Sequence, residues 1–470
     1  MIFCYSAMNG LSINSFGRVR PCCVVTSMRT LTGTPGVTET YDLDWVNTYP
    51  HIMKETGWFG WKPKIQEAEH VQDLVNDVLL CELRNDLKND IRPEICNRCF
   101  PVEDQGGTSF RQNYNIDHKD VSNPNAVGEH GVIKDIASIT YLDLTLGNTC
   151  NLQCKTCNPW SSHNWLKEVQ ELPHQNFEKR DINVDSPDGD RLQDDFDVVE
   201  RGTKNPWYKR AFKENFFDPL LPTVRTINFL GGEPLVVKEH DMWLDRIVKK
   251  GWAGNKTLQY TSNGTTIPNR LIDVWSQFER VNLGISIDAI GDMAYYVRHP
   301  SNWRKIEENF DKLRIRCVRD AKQIYVQLHT TISSLNIINI QDVYDFSYKQ
   351  YRLWHYWDDE KKRQHGYINI LPHINIVDYP KFYHVRHMPE ELKEQACQAV
   401  DNTYNKYKDR IQNDWEQNNL ENLNNLKQSI MQERDPEMWK QFVEVQIASD
   451  KFRGLDGQDY IPWFKDYVYS

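Results

Sequence analysis

The strongest chemical signal in this sequence is a group of three cysteines within GNTCNLQCKTCNPW, residues 147–160. Cys150, Cys154 and Cys157 have the spacing C-x3-C-x2-C. A cubane iron–sulfur cluster normally takes four thiolates, so three would leave one iron open for a ligand that is not protein. The alternative is a Cys3His zinc site, for which His163 follows the triplet. The triplet alone leaves both interpretations open, although closed zinc sites usually show paired cysteines.

A second group of cysteines precedes the triplet. Cys4 and Cys22 stand on either side of Gly17, and a turn at this glycine would bring the two thiolates together. Cys96 and Cys99 have the spacing C-x2-C, which suits two ligands of one metal site. Four thiolates can close either an auxiliary iron–sulfur cluster or a zinc knuckle.

The remaining cysteines have other interpretations. Cys23 is an alternative to Cys22 as a ligand, although the x4 spacing from Gly17 favours Cys22. Cys81 lies within a helical pattern, and we expect it to be a buried structural residue. Cys317 and Cys397 stand alone in the sequence, and we expect both to be small buried hydrophobic residues.

Polar residues follow three further segments that have the pattern of buried strands. In parallel α/β barrels the chemistry lies at the carboxyl ends of the strands, so these residues are predicted to share a rim with the triplet. They are Gly231, Gly232, Glu233 and Pro234 after the second strand, Ser262 and Asn263 after the third, and Ser286 and Asp288 after the fourth.

The positions of these residues depend on a regular alternation of strands and helices. Strands are predicted at 138–146, 224–230, 257–263, 280–287, 324–332 and 367–374. Helices are predicted at 239–250, 269–278, 302–321 and 340–354. This alternation implies a parallel sheet with right-handed crossovers. The predicted fold class is α/β, a partial (β/α)6 TIM-like barrel with a small N-terminal cysteine-rich α+β domain and a helical C-terminal tail.

Three regions are predicted along the chain. Residues 1–130 form the N-terminal domain, 135–385 form the barrel, and 386–470 form a helical extension without recognisable chemistry. An exposed loop insertion is predicted at about 173–223, because its acidic segment is rich in Pro, Gly and Asp. The run at 354–367 is predicted to be a solvated loop.

Composition narrows the functional classes. The 470 residues carry a net charge of −10, which argues against a nucleic-acid partner. Hydrophobic residues make up 39% of the chain, and aromatic residues make up 12%, as expected for packed cores. No apolar run of about 18 residues predicts a membrane span, and the first residues lack a signal-peptide pattern. We therefore expect a cytoplasmic protein whose clustered cysteines bind metal.

Taken together, the motifs resemble those of the radical SAM superfamily over roughly residues 138–380. CNLQCKTC resembles its cysteine motif, GGEP its second-strand motif, and TSNGT and SIDA its third- and fourth-strand motifs. The resemblance implies that Cys150, Cys154 and Cys157 bind a 4Fe–4S cluster. Its open iron would chelate the amino and carboxylate groups of S-adenosylmethionine.

The same resemblance implies contacts with S-adenosylmethionine. The GGEP residues would bind its amino group, and Arg298, in YYVRHP, would reach its carboxylate. Asn336 falls where relatives carry a polar residue, whereas Thr156 replaces a residue that is usually aromatic. Residues implied near the ribose or methionine parts are Ser262, Ser286 and Asp288, and Asn263 is implied as a further cofactor-binding residue.

The N-terminal cysteines resemble those of twitch and SPASM domains, which implies an auxiliary iron–sulfur cluster on Cys4, Cys22, Cys96 and Cys99. In this chain they precede the barrel, as in N-terminal-twitch radical SAM proteins, a group associated with phages and marine bacteria. The expected compartment is therefore the cytoplasm, which would be the host cytoplasm if the protein is phage-encoded.

The implied function is that of a radical S-adenosylmethionine enzyme. It would cleave S-adenosylmethionine reductively to a 5′-deoxyadenosyl radical that abstracts hydrogen from a peptide, protein or small-molecule substrate. An electron donor such as flavodoxin or ferredoxin is expected, and no catalytic acid or base is assigned. The alternative is a metal-stabilised binding protein on a catalytically inactive barrel of the same type.

Overall fold

The computed structural model describes residues 1–15, 17, 19–22, 65, 68–172, 203–319, 323–355, 368–369, 371–411 and 413–469. Three predictions fall wholly or partly outside these residues. They concern Cys23, the first part of the predicted insertion, and most of the predicted loop at 354–367.

The described strands form one mainly parallel sheet in the order β2-β1-β3-β4-β5-β6-β7-β8. The sequential order from β3 to β8 is the topology predicted for six barrel strands. The strands are β1 (Gly10–Ile13), β2 (Val19–Arg20), β3 (Tyr141–Leu146), β4 (Thr226–Gly231), β5 (Thr257–Ser262), β6 (Arg280–Ser286), β7 (Ile324–Ile332) and β8 (His373–Ile376).

The first two strands extend this sheet at its N-terminal side. β1 pairs in parallel with β3, with Leu11 opposite Leu142. β2 turns back antiparallel to β1, and Gly17 between them has a φ of 79°, which a residue without Cβ adopts at little cost. The sequence predicted the glycine turn, but it did not predict that the N-terminal hairpin joins the barrel sheet.

Helices connect most of the strands and form the C-terminal part of the chain. They are α1 (Tyr5–Asn9), α2 (Val71–Val75), α3 (Val78–Lys88), α4 (Phe100–Asp104), α5 (Phe110–Asp117), α6 (Trp165–Glu171), α7 (Trp207–Lys213), α8 (Lys238–Lys249), α9 (Asn269–Trp275), α10 (Gly291–Val297), α11 (Trp303–Arg319), α12 (Ile340–His355), α13 (Glu390–Tyr407), α14 (Asp414–Ile430), α15 (Pro436–Arg453) and α16 (Phe464–Tyr467). The predicted α/β class and helical C-terminus are confirmed.

Two sequence predictions about elements were wrong in part. The last strand is β8 at His373–Ile376 rather than 367–374, and Ile368 makes only an isolated bridge with Val326.

Part of the predicted exposed insertion is folded, because α7 buries Trp207 and Phe212. The Phe212 ring stacks on Trp243 of α8 with centroids 4.6 Å apart. Apolar side chains at helical spacing in WYKRAF outweighed the polar composition of the preceding segment.

The C-terminal helices have sequence-encoded ends and a large apolar core. The Asp435 side chain accepts a hydrogen bond from the Glu437 N–H at the start of α15, and the helix ends at Gly454 with a φ of 67°. Its buried residues include Trp439 and Phe442, whose rings stack 4.7 Å apart. This core explains why a segment that is polar in sequence folds as packed helices.

The described chain divides into two compact units. One contains the described residues of Met1–Gly147, Ile182–Gly231 and Val237–Leu258, and the other contains those of Asn148–Asp181, Gly232–Val236 and Gln259–Ser470. In the described part of the chain, no helix is both long enough and apolar enough to span a membrane.

Candidate functional site

The cysteine triplet lies in a loop that follows β3 and is held by hydrogen bonds to its backbone carbonyls. The Cys157 N–H donates to the Cys154 carbonyl at 3.0 Å. The Trp165 indole N–H donates to the same carbonyl at 3.2 Å, and the Asn164 side chain donates to the Cys150 carbonyl at 3.0 Å. The first turn of α6 therefore fixes two of the three cysteines.

The three thiols interact electrostatically with one another. Burial raises the pKa of Cys150 to about 12, and a charge on Cys154 raises it further. Burial also raises the pKa of Cys157, and charges on both other cysteines contribute. Thiolates gathered in this way need a cation to offset their mutual repulsion, which is the role of a bound metal.

His163 contacts the backbone beside the triplet through its Nδ1. Its Nδ1 lies 3.3 Å from the Cys150 backbone nitrogen and 3.3 Å from the Asn148 carbonyl oxygen. Among the described residues, no three His, Cys, Asp or Glu side chains are arranged to hold a single metal ion.

The Gly-Gly-Glu bend after β4 packs directly against this loop. A Cβ on Gly232 would lie 2.3 Å from the Thr149 carbonyl oxygen, and a Cβ on Gly231 would lie 2.8 Å from the Leu146 nitrogen. The Glu233 N–H donates to the Thr149 carbonyl at 2.8 Å. The two glycines therefore allow the protein's own backbone to approach closely beside the first cysteine.

Glu233 joins the ends of two strands from a buried position. It is 1% exposed, and its carboxylate accepts from the Ser262 hydroxyl at 2.9 Å and from the Asn263 N–H at 2.6 Å. The Leu235 N–H adds a third hydrogen bond at 3.1 Å. Burial raises the pKa of Glu233 to about 7, although these hydrogen bonds oppose the shift. A carboxylate offers about four acceptor positions, so one is left for a further donor.

A polar network connects β5 to the first cysteine. The Asn263 amide donates to the Asn151 side chain at 2.8 Å, and its nitrogen lies 3.9 Å from the Cys150 sulfur. Asn151 in turn donates to the Thr265 hydroxyl at 2.8 Å. The predicted residue Asn263 therefore lies beside a predicted metal ligand.

Arg298 lies near the second cysteine and pairs with Asp288. Its Nη1 is 2.6 Å from the Asp288 carboxylate, which also accepts from the Thr331 N–H at 2.8 Å. Burial lowers the pKa of Arg298, but the charges of Cys154 and Asp288 outweigh burial and raise it overall. The Nε of Arg298 is buried without a hydrogen-bond partner among the described residues. This donor is free for an anionic group near the thiols.

The other predicted residues have simpler surroundings. The Asn336 amide donates to the Asp288 carbonyl at 2.9 Å and therefore fixes the residue that pairs with Arg298. Ser286 is half-buried at the end of β6, opposite His329 in the sheet register. Pro234 is buried in a short 3-10 turn.

Three of the four predicted auxiliary ligands lie close together in the first unit. Burial raises the pKa of Cys4 to about 11, and Cys99 raises it further. Burial raises the pKa of Cys96 to about 12, and charges on Cys4 and Cys99 add to the rise. Cys22 follows Pro21, whose carbonyl accepts from the Ser6 hydroxyl at 3.1 Å, two residues beyond Cys4.

An arginine borders this second cysteine group. Arg111 donates to the Phe3 carbonyl at 2.7 Å and holds Glu103 in a two-point ion pair. Its positive charge lowers the pKa values of Cys4 and Cys96 and partly offsets burial. Both candidate metal groups therefore pair clustered thiols with a positioned arginine.

Of the cysteines outside these groups, Cys81 and Cys317 are buried as predicted, whereas Cys397 is only half-buried. Cys81 is buried in α3 and Cys317 in α11, and Cys397 packs partly buried against the C-terminal core.

Sequence reasoning missed a set of charged residues around the cysteine loop. Gln153 and Lys155 flank Cys154 and contact residues of α6 and α15. The partners are Glu168, Ser449, Asp450 and Arg453. The sequence did contain a signal for these contacts, because one face of α15 changes from apolar to polar residues toward its end. The positions on this face are 439, 442, 446, 449, 450 and 453.

Comparisons with known proteins give no sequence relative, since neither a family model nor a curated protein matches. Several solved structures match parts of the chain, and two of them are described here. "Native anSMEcpe with bound AdoMet and Cp18Cys peptide" is 13% identical over 60% of this chain and 61% of its own length, with a TM-score of 0.31. "Structure of TYW1 with a lysine-pyruvate adduct bound" is 17% identical over 55% of this chain and 72% of its own length, with a TM-score of 0.25. At these TM-scores a shared function does not follow from the match.

Proposed function

We propose that this protein is a radical S-adenosylmethionine enzyme. One observation carries the proposal. The three thiols of the triplet interact electrostatically beside Arg298, whose buried Nε has no partner among the described residues. Three thiolates and a nearby free guanidinium donor suit a cluster with one open iron and a carboxylate-bearing ligand.

The side chains fit the groups that this function requires. Cys150, Cys154 and Cys157 would hold the 4Fe–4S cluster, whose corner thiolates are spread more widely than the ligands of a single ion. When bound, the cluster and S-adenosylmethionine supply the reductive cleavage that generates a 5′-deoxyadenosyl radical for hydrogen abstraction.

The protein residues would bind and orient the cofactor. Glu233 would use its remaining acceptor position for the amino group of S-adenosylmethionine, together with the backbone of Gly231, Gly232 and Pro234. Arg298 would donate to the carboxylate, with Asp288 holding the guanidinium in place. Ser262 and Asn263 would support this arrangement through Glu233, and Ser286 would lie near the ribose or methionine part.

Anaerobic reconstitution with iron and sulfide tests the proposal. The reduced protein is expected to convert S-adenosylmethionine to 5′-deoxyadenosine, and Cys154→Ala is expected to abolish this conversion. Cys317→Ala is the matched control, because Cys317 is buried in α11. Iron binding without cleavage by the wild-type protein would instead indicate a catalytically inactive metal-binding protein. Zinc in place of iron would also contradict the proposal.

We further propose an auxiliary iron–sulfur cluster on Cys4, Cys22, Cys96 and Cys99, within an N-terminal twitch-like domain of residues 1–130. Two cubanes would give about eight irons per chain, and Cys99→Ala should lower this to about four. Cys81→Ala, which changes a buried cysteine in α3, should leave the iron content unchanged. Equal iron content in wild type and Cys99→Ala would rule out the auxiliary cluster.

The proposal extends to the domains of the chain, its substrate and its electron donor. Residues 135–385 would form the catalytic barrel, and 386–470 would form the helical extension. The substrate would be a peptide, a protein or a small molecule, and the protein would act in the cytoplasm with flavodoxin or ferredoxin as electron donor. Reduced flavodoxin or ferredoxin should replace a chemical reductant in the 5′-deoxyadenosine assay.

A further inference from the structure

We propose that α15 positions the cysteine loop, with Arg453 and Asp450 as positioning residues that fix the loop and with the charge of Arg453 favouring reduction of its cluster. This inference rests on the proposed function, since the cluster is what the loop would hold. The two residues reach the loop at Gln153 and Lys155, on either side of Cys154.

Arg453 holds the loop on the N-terminal side of Cys154. Its Nη1 donates to the Gln153 carbonyl at 2.8 Å, and its Nε donates to Glu168 of α6 at 2.8 Å. The guanidinium lies 4.8 Å from the ring centroid of Trp165, whose indole N–H donates to the Cys154 carbonyl. One side chain therefore ties together α15, α6 and the loop.

Asp450 holds the loop on the C-terminal side of Cys154. Its carboxylate lies 2.5 Å from the Lys155 ammonium, and both side chains are almost fully buried, at 2% and 0% exposure. The hydroxyl groups of Tyr296 and Tyr469 donate to the other carboxylate oxygen at 2.8 and 2.5 Å. The Lys155 ammonium also lies 4.5 Å from the Tyr296 ring centroid.

The loop backbone is held on a second side by the end of α10. The Gln153 N–H donates to the His299 carbonyl at 2.5 Å, and the Lys155 N–H donates to the Val297 carbonyl at 2.8 Å. The residues flanking Cys154 are therefore fixed through both backbone and side chain.

Stability alone does not account for these charges. A buried ion pair is often no more stabilising than apolar residues of similar volume. The pair of Glu168 and Arg453 also leaves a carboxylate oxygen and a guanidinium nitrogen buried without partners among the described residues. A cation near Cys154 does have an electrostatic consequence, because it favours the more negative, reduced form of a cluster bound there.

The test uses a double variant, Arg453→Gln with Glu168→Gln, which removes both charges and leaves neither buried alone. The matched control is Lys440→Gln with Glu437→Gln on the same helix, where both side chains are exposed, at 66% and 79%. The single variant Arg453→Lys keeps the charge but loses the planar fork.

The first measurement needs no cluster. Alkylation of Cys150, Cys154 and Cys157 by iodoacetamide is followed by mass spectrometry in the apo chain, after circular dichroism has shown that each variant is folded. We expect the double variant to react at least fivefold faster than wild type, and the control pair to react as wild type does. Arg453→Lys should also react faster, and it supplies the test if the double variant does not fold.

The second measurement follows the reconstituted cluster by electron paramagnetic resonance during a redox titration. The double variant should have a more negative midpoint potential and an altered spectrum, whereas Arg453→Lys should keep a potential near that of wild type. The inference would be overturned if the wild-type chain binds a cluster and the double variant has the same alkylation rate and the same midpoint potential as wild type. If the wild-type chain binds no cluster but the double variant is still alkylated faster than wild type, the positioning role is supported and the proposed function is contradicted.

Discussion

Gly232 shows how closely the two predicted motifs fit together at the level of single residues. The space where its Cβ would stand is taken by the Thr149 carbonyl, one residue before Cys150. That carbonyl also accepts the hydrogen bond from the Glu233 N–H. A side chain at position 232 must therefore move the cysteine loop, the Glu233 bend or both.

Gly232→Ala should accordingly destabilise the chain and weaken iron binding. Overpacking of this kind costs about 1–3 kcal/mol. Urea unfolding of the apo chain gives the loss of stability, and iron analysis after reconstitution gives the loss of binding. Gly254→Ala is the control, because a Cβ at Gly254 would meet nothing within 4 Å. Equal effects of the two substitutions would show that the close contact at Gly232 is unimportant.

At the level of elements, α7 anchors the end of a segment that we expected to be an exposed loop. Phe212 is 5% exposed and packs between Trp207 and Trp243, with ring centroids 5.9 and 4.6 Å away. The Trp207 indole N–H donates to the Thr145 carbonyl of β3 at 3.1 Å. The helix thereby supports the strand that leads into the cysteine loop.

Phe212→Ala should lower the free energy of unfolding by about 3–5 kcal/mol, because it empties a buried aromatic site. Phe110→Ala is the comparison, since Phe110 lies in α5 and is 54% exposed. That substitution should change the free energy by less than about 0.5 kcal/mol. Equilibrium urea unfolding measures both, and similar values for the two variants would contradict the packing of α7.

At the level of the whole molecule, three histidines contribute to the response to acid, His387 from a buried position and His299 and His329 from half-buried ones. Burial lowers the pKa values of His299, His329 and His387 to about 4 in each case. The unfolded chain takes up these protons near pH 6.5, whereas the folded chain resists them until about pH 4. These groups therefore cost no stability above pH 6.5, and stability is lost progressively as the pH falls from 6.5 toward 4.

His329→Asn should remove one part of this loss. Between pH 7.5 and 5, the wild-type chain should lose about 2 kcal/mol more unfolding free energy than the variant. His70→Asn is the control, because His70 is exposed and Asn is a suitable residue at the start of α2. Urea unfolding at the two pH values measures the difference, and a parallel pH dependence in wild type and His329→Asn would contradict the expectation.

The sequence was sufficient to predict features that depend on local residue patterns, but it was insufficient to predict features that depend on contacts between distant residues. Alternation in IYVQLHTTI predicted β7 at its observed bounds, and two of the polar residues after the strands, Ser262 and Asn263, bond to Glu233. The packing role of Gly232 was not predictable, because it depends on the backbone of residue 149. The same holds for Arg453, which is 300 residues away from its partner Gln153.

The contacts of α15 also constrain how this protein can change. Lys155 and Gln153 occupy the variable positions of C-x3-C-x2-C, yet each is bound to a buried residue near the opposite end of the sequence. Because Lys155 is paired through its side chain, a mutation of Lys155 or Asp450 leaves the other charge buried without its partner, whereas Gln153 is held through its backbone carbonyl. A chimera that takes its C-terminal helices from another protein would leave two buried charges unmatched beside the thiols, even with every cysteine intact.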